Sequence, residues 1–384
     1  MAVDTCTQEF EHLARAVGGL RCNANPFVEF HDPFTLDNWT MPLIELTLVV
    51  GAVACLVHAL RWRKAHGDAA PLVIWFSGIF CLLLIEPVAY FPQWWGLEDS
   101  MGLTFLHNQF SVQFLYGRLP LYIVAMYPAY GYVSYMLVQR TGIFERRHVL
   151  VGATCAALAF HVTYMFIDMI GPQWHWWVWA TDVPSAKPAI GSSPYLNVQA
   201  FSIALPFAMT LLAQLTKRWS SRGNSGVVAS VAVIAVGVWP IIFFSDVPWI
   251  VPDLLGMSTV DARRIGTWAL IVAVATIGGR ALFRAWNQRA IGSAGADPAS
   301  QGDSFALRAV MIYLVVGLII WVPALPDYFD AVAGIAPDGG QTGSLTYAII
   351  MLVGSIAVLV GCYAHTLSPV GAADVTATAA AATD

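Results

Sequence analysis

A chain of 384 residues in which 58% are hydrophobic and only 11% are charged has too little charge to cover a soluble fold, where about 25% is usual. The apolar excess makes bilayer lipid the expected solvent. The 19 basic and 24 acidic residues leave a net charge of −5, and no long basic run suggests nucleic acid as a partner.

The first segment, 1–40, carries Asp4, Glu9 and Glu11 and has no apolar core. It reads as a polar outer segment rather than a secretory signal peptide. Cys6 and Cys22 lie within it, and placement on an oxidising side predicts a disulfide between them. Cys55, Cys81, Cys155 and Cys362 fall in apolar stretches as ordinary small core residues. No Cys-x-x-Cys pair exists to hold zinc or an iron–sulfur cluster, and no cofactor is expected.

A membrane-crossing helix needs about 20 mostly apolar residues. Nine stretches qualify: 41–60, 71–91, 119–139, 149–171, 198–215, 227–245, 265–282, 306–325 and 345–365. The expected fold is all-α, a polytopic integral membrane helical bundle over 41–366. The connection near 286–305 reads as a Gly/Ser/Ala linker, and 367–384 as a disordered, Ala/Thr-rich cytoplasmic tail.

Of the 19 basic residues, 13 fall on one set of connections, in clusters after the first, third, fifth and seventh helices. The positive-inside rule then predicts an outer N-terminus and a cytoplasmic C-terminus, in the cell membrane. Eight of the 15 tryptophans lie on the outer side, where an interfacial aromatic belt accounts for them. No repeat at a fixed period is visible.

Ionisable groups inside spans are costly, and each is therefore a functional hypothesis. Glu45 lies in the first helix, Glu86 in the second, and His161 and Asp168 in the fourth. At 1.5 Å rise per residue the three carboxylates fall within about 5–8 Å of the outer boundary. Arg118 opens the third helix at the same level. His161, Tyr164 and Asp168 share one helix face. His107 and Asn108 precede the third helix on a segment expected along the interface, and Tyr122 follows within it. We expect Glu45, Glu86, His161 and Asp168 to carry chemistry, with Arg118, His107, Asn108, Tyr122 and Tyr164 binding substrate. An ion pair between Glu86 and Arg118 is the bland alternative, and a neutral hydrogen-bonding role that of His161.

A buried Glu beside a second carboxylate can donate a proton at neutral pH, and aromatic faces can steady a developing carbocation. The expected activity is acid/base chemistry at the outer leaflet on a membrane lipid, an isoprenoid or another hydrophobic small molecule. Metal is not expected. No His-x-x-x-His spacing exists, and Glu-x-x-His occurs only at Glu9–His12 and Glu145–His148, outside the spans. Glu98-Asp99, Arg263 with Arg264, and Asp327-x-x-Asp330 could serve a polyprenyl-phosphate-dependent transferase, but read better as solvated loop charge. Proton- or ion-coupled transport is the second class, because Pro87, Pro128, Pro206, Pro240 and Pro323 fall in spans. Pro128 with Gly131 is the expected helix break. A membrane assembly subunit is the third class. The oligomeric state is not readable.

Overall fold

Helices dominate the computed structural model, which describes residues 5–18, 20, 22, 24–99, 101–290 and 303–367. In chain order, α1 (Gln8–Val17) and β1 (Val28–Phe30) precede the first span, α2 (Thr40–His66), and the second, α3 (Ala70–Tyr90). Three short strands follow, β2 (Phe105–His107), β3 (Val112–Phe114) and β4 (Leu119–Pro120). The third and fourth spans, α4 (Leu121–Arg140) and α6 (Val149–Asp168), flank the single turn α5 (Ile143–Arg146). Next come β5 (Trp177–Trp179) and a π-helical segment, Asn197–Ala204, which continues as α7 (Leu205–Leu215) to complete the fifth span. After the turn α8 (Lys217–Ser220) comes the sixth span, α9 (Asn224–Phe244). The short α10 (Val247–Leu254) leads to the last three spans, α11 (Thr259–Ala290), α12 (Phe305–Phe329) and α13 (Leu345–Leu367).

Among the described residues these are nine helices long and apolar enough to cross a membrane. The chain is a multi-pass membrane protein. The spans follow the expected segments, but α2 runs on to His66 and α11 to Ala290. Hydropathy marks where lipid ends, not where the helix ends. Arg63, Lys64 and His66 occupy the last turn of α2, where cations suit the helix dipole. Gly67 then stops it in the left-handed region, at φ 69°. Leu367, the first residue of the expected tail, ends α13, and the rest of the tail lies outside the described residues, as does most of the connection near 286–305.

Two helices form the centre. The apolar window of α4 is 89% buried within the protein and that of α6 78%, against 33% for α2, α9, α11 and α13. The outer helices therefore turn most of their apolar surface to lipid. One close approach fixes the centre. A Cβ on Gly78 of α3 would lie 2.6 Å from the backbone nitrogen of Pro128 in α4, so only glycine lets the two backbones meet there. Pro128 sits inside a helix that continues to Arg140. The irregular span is the fifth, not the third.

The connections at the N-terminal ends of α2 and α4 build a cap on one face. β1, β3 and β4 form an antiparallel sheet in that order, and β2 pairs antiparallel with β5. A disulfide joins Cys6 to Cys22, with Cα atoms 5.5 Å apart. It closes the strap bearing α1, whose Phe10, Leu13 and Val17 pack with Leu103, Leu106 and Ala180 of the cap.

Candidate functional site

A small cavity lies where α3, α4, α6 and the π-helical segment meet the cap. Its roof follows from strand periodicity. Residues two apart on a strand face the same way, so Phe105 and His107 of β2 share a face, as do Trp177 and Trp179 of β5. The register sets Phe105 opposite Trp179 and His107 opposite Trp177, with ring centroids 5.4 and 5.9 Å apart. All four rings line the cavity. Gly171 makes room for the roof, because a Cβ there would fall 2.1 Å from the Trp177 ring.

The walls carry the charge. Glu86 sits one turn before the end of α3, and Asp168 is the last residue of α6. Both are buried, at 2% and 6% exposure, and both line the cavity. Tyr127 of α4 and Tyr164 of α6 lie beside them, with Ile123, Met126 and Phe201 completing the lining. Tyr127 is close enough to feel the charge of both carboxyls.

The two carboxyls differ in their partners. Asn197 Nδ2 donates to Asp168 Oδ2 and, over 3.0 Å, to Ser193 Oγ. The Tyr164 hydroxyl donates to Asn197 Oδ1 over 2.8 Å. Asp168 is thus held by an amide that is itself held. Glu86 Oε2 is buried and makes no hydrogen bond, and neither does the nearby Tyr90 hydroxyl or Trp177 Nε1. The Tyr90 hydroxyl stands close to the Glu86 carboxyl, but no hydrogen bond of good geometry joins the two. In an interior where buried polar atoms are almost always partnered, Glu86 Oε2 and Trp177 Nε1 are the buried polar side-chain atoms of the cavity lining that lack something to bind.

His107 belongs to the roof and, through Tyr122, to α4. Its Nδ1 lies 2.9 Å from the Tyr122 hydroxyl. Burial pushes the imidazole down to about 3, with the Trp176 backbone carbonyl opposing, so the ring is neutral at physiological pH. The segment bearing it is a buried strand rather than an interfacial stretch. Pairing with β5 satisfies its backbone and turns its rings inward.

The remaining sequence candidates lie elsewhere. Glu45 accepts from the backbone nitrogens of Ser111 (3.1 Å) and Val112 (3.4 Å), holding the β2–β3 connection. Arg118 stacks between the Phe10 and Phe91 rings and donates to the carbonyls of Tyr90 (2.7 Å) and Thr5. No ion pair joins it to Glu86 among the described residues. Asn108 donates to the His175 carbonyl and to Asp37, inside the cap. His161 bridges Ser202 Oγ (2.8 Å) and the Tyr347 hydroxyl (2.6 Å). Because Ser202 donates to the Val198 carbonyl, Nδ1 of His161 carries the hydrogen and Nε2 accepts from Tyr347. Glu98, Asp99, Asp327 and Asp330 are exposed. Arg264 pairs with Asp261, three residues away, and Arg263 stacks on Tyr195.

No family model, curated protein or solved structure matches this chain. The site is therefore read from its own chemistry. Among the described residues no cluster of three or more His, Cys, Asp or Glu could hold a metal ion.

Asn197 is the site residue that ionisable groups alone did not reveal. It opens the π-helical segment, and such wide turns recur at functional sites. The available signal was a pair of amides, Asn197 and Gln199, at the head of an otherwise apolar stretch.

Proposed function

We propose that this protein is a membrane-embedded enzyme that moves protons on an unsaturated apolar lipid, with Glu86 and Asp168 as its acid and base. One observation carries the reading: two carboxyls from different helices line a single aromatic-roofed cavity, and Glu86 Oε2 there has no partner.

Asp168 receives a hydrogen bond from Asn197 and is suited to keep its charge. Glu86, with a free oxygen in an apolar wall, is the better seat for a proton. Transfer of that proton to one carbon of a double bond leaves a cation on the other. The faces of Tyr127, Phe201 and Trp177 and the Asp168 carboxylate can stabilise that charge. The cation is discharged in one of two balanced ways. Loss of a neighbouring C–H proton to Asp168 gives an isomerised or cyclised product, and Tyr127, which lines the cavity with both carboxyls, can return that proton to Glu86. Capture of water instead gives an alcohol, the released proton going back to the Glu86 carboxylate.

The test is a comparison of apolar lipids from cells producing the wild-type protein, Glu86→Gln or Asp168→Asn, each checked for normal expression and melting. The wild type should yield a lipid isomerised or heavier by one water, and each substitution should lower it by about 10²-fold or more, the usual worth of a positioned acid or base. An unchanged lipid profile, with a proton-coupled flux in vesicles that Glu86→Gln abolishes, would instead support transport.

A further inference from the structure

The cavity at Glu86 and Asp168 is too small for the molecule it would act on. Its volume is about 40 Å³, and one water needs roughly 10–15 Å³ on this measure. Two or three waters fit, or the end of a chain, but not a lipid. The bulk of a substrate must lie outside it.

One apolar groove of the right size adjoins it. Between α2, α4 and α12 lies a space of about 490 Å³, within the roughly 300–1,000 Å³ of ordinary ligand sites. Val50, Gly51 and Ala54 of α2 line it, with Ala129 of α4 and Ala309 and Ile312 of α12. It is open to lipid, since Val50 is 56% and Ile312 61% exposed.

The groove and the cavity are separated by one layer of tyrosine. Tyr130 and Thr163 line the groove, and Tyr127 and Tyr164 line the cavity. The Tyr130 ring meets Tyr164 edge-on at 6.0 Å and Tyr313 at 4.8 Å. Because Tyr130 touches both Tyr164 of the cavity and Tyr313 of the groove, it is the side chain that would have to move for a chain to pass between the two spaces. A second large apolar cleft, of about 390 Å³ between α6, α11 and α13, is lined from α6 by Leu158 and Val162, on a different face from Tyr164.

We infer that the groove between α2, α4 and α12 holds the long linear hydrocarbon chain of the substrate, whose unsaturated end passes the Tyr130 ring to reach Glu86 and Asp168. The substrate class is therefore a flexible, ring-free chain drawn sideways from the bilayer, not a rigid polycyclic lipid, which could not turn past a single side chain. This rests on the acid/base reading of the cavity, and the experiment separates the two.

Gly51 supplies the test. A Cβ there meets nothing within 4 Å, so a larger side chain fills the groove without displacing a helix. In phosphatidylcholine vesicles, a fatty acid bearing a terminal diazirine is photolysed with wild-type protein, Glu86→Gln, Gly51→Ala and Gly51→Phe. Labelling of the α4 peptide containing Tyr127 and Tyr130 is expected in the first three. Gly51→Phe should reduce it roughly tenfold, equal to about 1.4 kcal/mol. Undiminished labelling of that peptide in Gly51→Phe, or labelling confined to α9 and α11, would overturn the groove assignment. Lipid turnover measured in parallel separates the readings. Loss of turnover in Glu86→Gln but not in Gly51→Phe leaves the acid/base site standing and removes the groove. Turnover surviving in Glu86→Gln removes the acid/base site, and the labelling still decides the groove.

Discussion

Burial holds the His107 imidazole neutral, at about 3 against an ordinary 6.5, and this makes a stability statement. The folded protein binds a proton there less readily than the unfolded chain. The stability associated with the neutral ring is fully present above about 6.5 and is lost progressively as pH falls toward about 3. The melting temperature in detergent should therefore drop between about pH 7 and about pH 5. His107→Gln, which keeps a polar partner for Tyr122, should flatten that drop. Equal pH dependence in both proteins would place the titrating group elsewhere. At this scale the sequence was informative about burial cost and silent about direction. Glu45, Glu86 and Asp168 share a depth, but a helix turns about 100° per residue, and only packing decides which face meets which neighbour. Glu45 met backbone amides of a loop, while Glu86 and Asp168 met each other's cavity.

Between elements, the close contact of α3 with α4 sets the Glu86 wall. Gly78, Leu82 and Glu86 are spaced by four, so the glycine lies two turns below the carboxyl on the same face. In Gly78→Ala the new Cβ would stand 2.6 and 2.8 Å from Pro128 backbone atoms, which cannot rotate away. The helices must separate. We expect about 1–3 kcal/mol of destabilisation together with lost turnover, whereas Val236→Ala, on the exposed face of α9, should change neither. Normal melting and turnover in Gly78→Ala would show that this contact does not position Glu86. The existence of these helices was legible from apolar length alone, because in lipid the backbone must satisfy itself. The π-helical turns of the fifth span were not. Proline marked the third span as the candidate break, yet α4 carries Pro128 in an unbroken helix, and the irregularity lies where Asn197 and Gln199 bond sideways.

Across the whole molecule, the cap with its disulfide lies opposite the face that carries most basic residues. A disulfide belongs to an oxidising compartment, which agrees with the positive-inside reading and supports placing the cap outside. Single cysteines at Glu98 and Lys187 should react with a membrane-impermeant maleimide on intact cells. Those at Arg146 and Arg218 should react only after lysis. The reverse pattern would invert the protein in the membrane. Strand pairing in the cap was beyond the sequence, since three-residue strands carry too little periodicity to stand out from loops.

The roof has a history as well as a shape. β2 precedes α4 and its partner β5 follows α6, so two whole spans must be threaded into the bilayer before the first ladder bond of the roof can form. The same holds for Asn197, which reaches Asp168 only with the fifth span. During synthesis, then, Glu86 enters the membrane well before anything can enclose it. A ribosome that stalls short of Trp177 leaves an inserted but roofless intermediate, with its carboxyls still wet. The cavity is completed late in the birth of the chain, when β5 has closed over α3 and α4 and the fifth span has brought Asn197 and Phe201 to its wall.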